Sequence, residues 1–252
     1  MRERVADITD GRYGVKLAET PAEIESALRL RYEVFTVELG GLAPSADGPR
    51  IEFDEFDLSC QHLLVVDRIT SNTVGTYRLN SIESAKSIDG FYSNSEFSLD
   101  ELPFEVLSRG IEIGRACIAA EHRNTKVLFL LWKGLVACLQ AAGKRFFFGC
   151  CSIFTTDELV GARAYRQLLE GRHVHGGFRV TPRRNAIDID CAGDEAVELP
   201  ALFNMYLRMG ARVCGTPIID HEFGTIDFFV VCDTHQISAK YRRMFFSGQT
   251  EN

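Results

Sequence analysis

Two ionisable side chains stand inside an otherwise apolar run, Arg109-Gly110-Ile111-Glu112-Ile113-Gly114-Arg115-Ala116-Cys117-Ile118. Strand alternation puts Glu112, Gly114 and Ala116 on one face and Ile111, Ile113 and Arg115 on the other. A charge buried in such a strand is costly unless it is paired. Glu112 therefore reads either as half of a structural ion pair or as a proton acceptor. Arg31 and Phe35 lie in Arg31-Tyr32-Glu33-Val34-Phe35, and Asp54 and Asp57 in the acidic run Glu52–Asp57. That run is either a solvated loop or a binder of cations. Arg78, a charge within the strand-like Gly75-Thr76-Tyr77-Arg78-Leu79, needs a partner, and the carboxylates of the Asp54–Asp57 loop are suitable. Arg123, Asn124 and Lys126 precede a long apolar helix, whose N-terminal N–H groups and positive dipole end suit a phosphate or phosphopantetheine. With Lys133, Lys144 and Arg145 they form a candidate docking patch for an acidic partner.

The elements that must position these residues follow from pattern. Val15–Ala18 alternates as a strand. Thr20-Pro21-Ala22-Glu23 is a capping box with proline at the first helical position, and the helix it opens runs toward Gly40-Gly41. A polar loop follows, with Pro44, Asp47, Gly48 and Pro49. His62–Asp67 and Thr73–Leu79 read as a hairpin. Phe91–Leu102 is an acidic connector studded with aromatics, Leu107–Ile118 a long strand, and Val127–Ala142 a helix closed by Gly143. Arg145–Cys151 is a further strand. Asp157–Leu169 is a helix with Leu159, Ala162, Tyr165, Leu168 and Leu169 as its inner stripe. Glu170–Glu195 is loop-rich, Pro200–Gly210 helical, and Arg212–Pro217 and Ile226–Val231 are the last strands. This order predicts an α/β fold in one domain over residues 14–246, between a frayed stretch 1–13 and a tail 247–252.

The chain has 252 residues and a net charge of -7, which disfavours nucleic acid as a partner of the whole molecule. Its apolar runs fall short of the roughly 20 residues a bilayer span needs. Met1–Asp10 is charged throughout and lacks the pattern of a secretory signal. The expected location is the cytoplasm, with the basic, aromatic stretch Lys240–Phe246 offering peripheral contact with the inner face of the membrane. The eight cysteines are scattered without metal-ligand spacing and read as buried small hydrophobes, so no metal is expected. His173 and His175 read as solvent-facing.

From Arg31 to Cys151 the chain resembles the N-acyltransferases that make lyso-ornithine lipid, a hemolysin-like branch of the acetyltransferase-like (GNAT) superfamily. The motifs that carry the likeness are LRYEVF at Leu30–Phe35, EFDEFDLSCQHLLV at Glu52–Val65, VGTYRL at Val74–Leu79, GFYSNSEFSL at Gly90–Leu99, IEIGRACI at Ile111–Ile118 and LLWKGL at Leu130–Leu135. Pro200–Val231 is similar to the same lipid-making branch. The chain also resembles, more distantly, the acyl-homoserine-lactone synthases, whose motif residues fall on Arg31, Phe35, Asp54, Asp57, Arg78, Glu112 and Arg115. An aromatic that those synthases carry after the first helix has no match at Gly40-Gly41-Leu42.

The resemblance implies a mixed, mostly antiparallel twisted sheet flanked by helices. It implies no tightly bound cofactor, an acyl carrier protein bearing a phosphopantetheine thioester as donor, often with a 3-hydroxyacyl chain, and L-ornithine as acceptor. Under this reading Glu112 is the general base and Arg115 its orienter. Arg31, Phe35, Asp54, Asp57 and Arg78 bind substrate, while Arg123, Asn124, Lys126 and Lys133 meet the carrier. Leu130, Leu131, Trp132 and Phe146–Phe148 are candidates for an acyl slot. Competing readings are a lactone synthase, an N-acyl amino acid synthase using another amine such as glycine or glutamine, and a non-catalytic acyl-carrier or lipid-binding module.

Overall fold

Thr20 accepts the N–H of Glu23 while the Glu23 carboxylate takes the N–H of Thr20, so the helix starts where the capping box places it. The computed structural model describes residues 8–41, 48–191, 193 and 195–246. In chain order these form β1 (Thr9–Asp10), β2 (Tyr13–Leu17), α1 (Pro21–Arg31), β3 (Gln61–Asp67), β4 (Thr73–Asn80), α2 (Ile82–Ala85), α3 (Phe104–Ser108), β5 (Gly110–Ile118), α4 (Thr125–Ala141), β6 (Phe146–Ile153), α5 (Glu158–Glu170), α6 (Ala201–Arg208), β7 (Arg212–Val213), β8 (Ile218–Asp220), β9 (Thr225–Asp233) and α7 (Ala239–Phe245).

The sequence suggests one domain over 14–246. The structure resolves two compact units with interleaved segments, and β5 contributes its first three residues to one and the rest to the other. The first unit is drawn from Met1–Asn80, Ile113–Lys144 and Ser238–Asn252. Its strands β1 to β4 pair successively and antiparallel, with Leu17 opposite Leu63 and His62 opposite Arg78. Helix α4 lies against β2, β3 and β4, close enough that a Cβ on Gly134 would stand 2.7 Å from Val15 Cγ1. Only glycine permits that approach. Phe245 of α7 packs on Phe129 and Trp132 of α4, with ring centroids 5.0 and 6.0 Å apart.

The second unit comprises Ser81–Glu112 and Arg145–Ile237. Here Gly110, Ile111 and Glu112 pair in parallel with Phe146, Phe147 and Phe148. Strand β6 runs antiparallel to β9 along its full length, and β7 and β8 both pair with β9. One face of this sheet carries Phe146, Phe148, Phe229, Val231 and Ile218, covered by Phe91, Phe97 and Leu99 of the connector. Each such aromatic contributes roughly 1.5–3 kcal/mol by leaving water. That burial holds a connector made mostly of single 3-10 turns.

Several boundaries differ from expectation for local reasons. Thr9–Asp10 and Tyr13 are already strand, so fraying does not reach residue 13; residues 1–7 lie outside the described ones, as do Pro44, Asp47 and the tail 247–252. After α1 the chain continues as a π-helical turn, Tyr32–Glu38, before Gly40 at φ +66°. Leu107 belongs to α3 rather than to the long strand, because Pro103 caps a short helix there. The segment Arg212–Pro217 is strand only at Arg212–Val213: Gly215, at φ +137°, passes so close to Val180 that a Cβ would sit 2.3 Å from its carbonyl oxygen. On α5 the inner stripe is Ala162, Tyr165 and Leu168, whereas Leu159 and Leu169 are exposed.

Candidate active site: two buried clusters of charge

In the first unit the acidic loop folds inward. Asp54 accepts the N–H of Phe56 and Asp57 accepts the N–H of Asp54, a reciprocal cap on the turn Glu55–Leu58 that aims both carboxylates the same way. Arg31, at the end of α1 and 0% exposed, forks onto Asp57 at 2.6 and 3.0 Å and bonds Glu52 through Nε. Arg78 bonds Asp54 and reaches Asp57 at 3.2 Å. Arg115 bonds Glu52 at 3.2 Å and Asp54 at 2.9 Å. Three arginines thus face three carboxylates. Burial works against the Asp57 carboxylate, but the hydrogen bonds and attraction of Arg31, helped by Arg78, outweigh it and hold Asp57 at about 2. Arg31 is raised despite its burial, by Glu52 and Asp57. His62, with its Nε2 3.8 Å from Asp57, is lowered by burial and stays neutral.

Strand β5 carries the two central candidates. Arg115 adopts φ +50°, a left-handed conformation uncommon for a side-chain-bearing residue in a strand, and Gly114 beside it has open space where a Cβ would be. In the second unit Glu112 is 6% exposed. Its Oε1 accepts the Ser93 N–H at 2.8 Å and its Oε2 the Tyr92 N–H at 3.2 Å. Two backbone donors at successive residues fix the plane of the carboxylate.

Beyond Tyr92 the same unit buries a second cluster. Carboxylate oxygens of Glu96, Asp220 and Asp227 lie within 4.8 Å of one another, in a grouping whose ligand atoms and spacing suit a cation. Tyr92 donates its hydroxyl to Glu96 at 2.9 Å and to Asp220 at 3.4 Å, and the Cys150 thiol donates to Glu96 at 3.0 Å. Asp220 also accepts the N–H groups of Glu222 and Phe223. Burial, then the charges of Asp227 and Asp220, push the Glu96 carboxyl up to about 8.

Residues 30–133 match the model of the acetyltransferase (GNAT) domain. The chain is 32% identical over 251 residues to the L-ornithine N(alpha)-acyltransferase of Rhodobacter capsulatus, covering 92% of this chain and 94% of that one. It is 34% identical over 245 residues to the enzyme of the same name from Rhizobium meliloti, covering 90% and 81%. The chain belongs to the L-ornithine N(alpha)-acyltransferase family. Among solved structures, a CoA-dependent acyl-homoserine lactone synthase, BjaI, aligns with a TM-score of 0.51 at 13% identity, over 86% of this chain and 77% of that one. That likeness shows the shared fold.

Members of the ornithine N-acyltransferase family use an acyl donor and an amine acceptor. Against that background the remaining candidates divide. Phe35 packs with Leu30, Val34 and Cys117 in a small core of the first unit. Asn124 caps α4, its side chain accepting the N–H groups of Lys126 and Val127. Arg123 bonds Glu38, through Nη2 at 2.6 Å, and Lys133 lies 4.7 Å from the Phe129 ring. Lys126 is exposed, 4.0 Å from Asp10. Leu130, Leu131, Trp132 and Phe146–Phe148 are core, each at most 6% exposed. His173 and His175 are half-buried, and the His175 ring stacks on Phe178. The Lys240–Phe246 stretch is anchored by Phe245, which is buried inward rather than offered to a membrane. No helix among the described residues is long and apolar enough to cross one.

Two parts of the arrangement escape sequence reasoning. Glu52 joins Arg31 to Arg115; it stands within the acidic run, where nothing local marks it out beside Asp54 and Asp57. The Glu96–Asp220–Asp227 cluster joins residues far apart in sequence. Its one local signal is Asp227, an ionisable residue next to the apolar run Phe228–Val231 on a strand.

Proposed function

We propose that the chain moves a fatty acyl group, 3-hydroxylated in the expected case, from an acyl carrier protein thioester to the α-amine of L-ornithine, giving a lyso-ornithine lipid. The reading rests on kinship over nine-tenths of the chain with enzymes of that name, and one structural observation carries its chemistry: the Glu112 carboxylate held on β5 by two successive backbone N–H groups. An α-amine titrates near pH 8 and is mostly protonated at neutrality. Glu112 accepts its proton, directly or through one water, and the neutral nitrogen attacks the thioester carbon. The tetrahedral oxyanion draws on backbone N–H groups of the central strand. As the carbon–sulfur bond breaks, the thiol leaves with a proton, and amide and free carrier thiol are the products.

No acyl-enzyme is needed. Burial raises Cys117, Cys138, Cys214 and Cys232 to about 12, and Cys150 and Cys151 well above the ordinary thiol value, so none of these is a ready thiolate. The arginine–carboxylate network is a scaffold: Arg115 anchors the downstream half of β5 to the acidic loop, and Arg31, Asp54, Asp57 and Arg78 hold that loop. Arg123, Lys126 and Lys133 present positive charge to the acidic carrier.

The test is to incubate purified protein with 3-hydroxyacyl carrier protein and L-ornithine and weigh the product. Glu112→Gln lowers kcat by roughly 10²- to 10⁴-fold, the usual share of a general base. Undiminished turnover by that variant removes Glu112 from the chemistry. Formation of an acyl lactone from S-adenosylmethionine, with no acylated ornithine, replaces the proposal by the lactone-synthase reading.

A further inference from the structure

We infer that Glu96, Asp220 and Asp227, with the Thr225 hydroxyl, form the socket for the side-chain ammonium of the acceptor and so select a diamino acid over a monoamino one. The inference rests on the ornithine reading above and names the residues that would enforce it. Sheet register puts the parts on one face. Asp220 and Thr225 are direct partners between β8 and β9, and Asp227 stands two residues beyond Thr225 on β9. Cross-strand partners and residues two apart share a face, so the Thr225 side chain projects on the side of both aspartates. Thr225 is 2% exposed and its Oγ1 has no hydrogen-bond partner. A buried hydroxyl left without a partner, on the face that carries Asp220 and Asp227, is an unused acceptor.

The charge count agrees. Among the described residues neither Glu96 nor Asp220 has an arginine, lysine or histidine within ion-pair distance, although each is at most 3% exposed. Buried carboxylates without a counter-charge are expensive, and the raised Glu96 carboxyl is the sign of that expense. An ammonium carries one positive charge and three donors, which three carboxylates and a hydroxyl can receive.

The location fits as well. Glu112 pairs with Phe148 and Asp227 with Ser152, and Phe148, Cys150 and Ser152 alternate onto the same face of β6. Tyr92 links the two ends: its N–H is on Glu112 and its hydroxyl on Glu96 and Asp220. The proposed base and the acidic socket are therefore separated by about the length of one tyrosine side chain, the scale of a short diamino acid bridging α-amine and terminal ammonium.

The experiment compares L-ornithine with L-norvaline, which has the same carbon chain without the terminal amine. Both are acceptors for the full-length protein and for Asp227→Asn, Glu96→Gln and Thr225→Val, with kcat/KM as the readout. Wild type prefers ornithine strongly. Removing one partner of a buried charge pair shifts the ornithine-to-norvaline ratio by roughly 30- to 1,000-fold in the carboxylate variants. Thr225→Val, which keeps the side-chain shape, shifts it several-fold in the same direction. A ratio unchanged in all three variants overturns the socket while leaving ornithine acylation standing. Wild type that acylates no ornithine overturns both. Loss of wild-type turnover in a chelator, restored by a divalent cation, also overturns the socket and makes the cluster a metal site.

Discussion

The two buried clusters use the same kind of acid in opposite ways. In the first unit Glu52, Asp54 and Asp57 meet Arg31, Arg78 and Arg115, and the charges close on themselves. In the second, Glu96 and Asp220 meet a tyrosine hydroxyl, a thiol and backbone N–H groups, but no cationic side chain among the described residues. The direction of the shifts records the difference: Asp57 is held at about 2 and Glu96 is pushed up to about 8. A cluster that is complete holds a loop and a strand in place. Glu96 and Asp220 have no such counter-charge among the described residues, and the proposed ammonium socket rests on that difference.

The sharpest way to break the comparison is to unbalance the first cluster. Arg31→Ala leaves Glu52 and Asp57 buried without their main partner, and costs about 3–5 kcal/mol of stability, the penalty for orphaning a buried pair. Urea unfolding of wild type and variant measures it. Arg31→Lys recovers only part, because an ammonium cannot fork onto both oxygens of Asp57 while also reaching Glu52. A loss below about 1 kcal/mol would place the network among the weak surface pairs and remove its role as scaffold.

Much of the first cluster is legible in the amino-acid sequence, because most of its residues break a local pattern. Arg78 and Arg115 are charges in apolar strands, and Asp54 and Asp57 form an acidic run next to a strand. The need for partners points each set at the other, and Asp54 does hold Arg78. The second cluster is hidden for the opposite reason. Glu96 lies in a connector where acids look like ordinary solvation, yet it is 0% exposed because Phe91, Phe97 and Leu99 draw the whole connector onto the sheet. Asp220 ends β8 just before a turn, where aspartate is common. Burial imposed by neighbouring aromatics, and register between β8 and β9, are tertiary facts that periodicity does not carry. The π-helical turn Tyr32–Glu38 is similar, since its spacing departs from the α-helical repeat.

A middle-sized effect comes from pH. Asp57 has its pKa lowered from 3.8 on folding, so its contribution is present above about 4 and is lost as pH falls toward about 2. Glu96 has its pKa raised from 4.5 to about 8, so folding takes up a proton; its contribution is full below 4.5 and is lost as pH rises toward about 8. Glu96→Gln removes the second loss. The variant's thermal midpoint therefore gains on wild type as pH goes from 5 to 8, while both fall together in acid. A constant offset across that range would mean that Glu96 is ionised in the folded protein and already has a counter-charge.

The smallest expected effect on stability is at the exposed pair Arg123–Glu38, with side chains 43% and 35% exposed. Both partners keep water, so Arg123→Ala changes the unfolding free energy by under about 1 kcal/mol. Function gives a different readout. If this face receives the acidic carrier, charge reversal by Arg123→Glu with Lys126→Glu raises KM for the acyl carrier protein several-fold at low salt and leaves kcat nearly unchanged. The gap between variant and wild type then narrows at high salt, because rim charges act mainly through steering. Equal KM values at both salt concentrations would place the carrier elsewhere. Arg31→Ala and Arg123→Ala together test whether burial and a second carboxylate, rather than contact length, set the weight of an arginine–carboxylate pair.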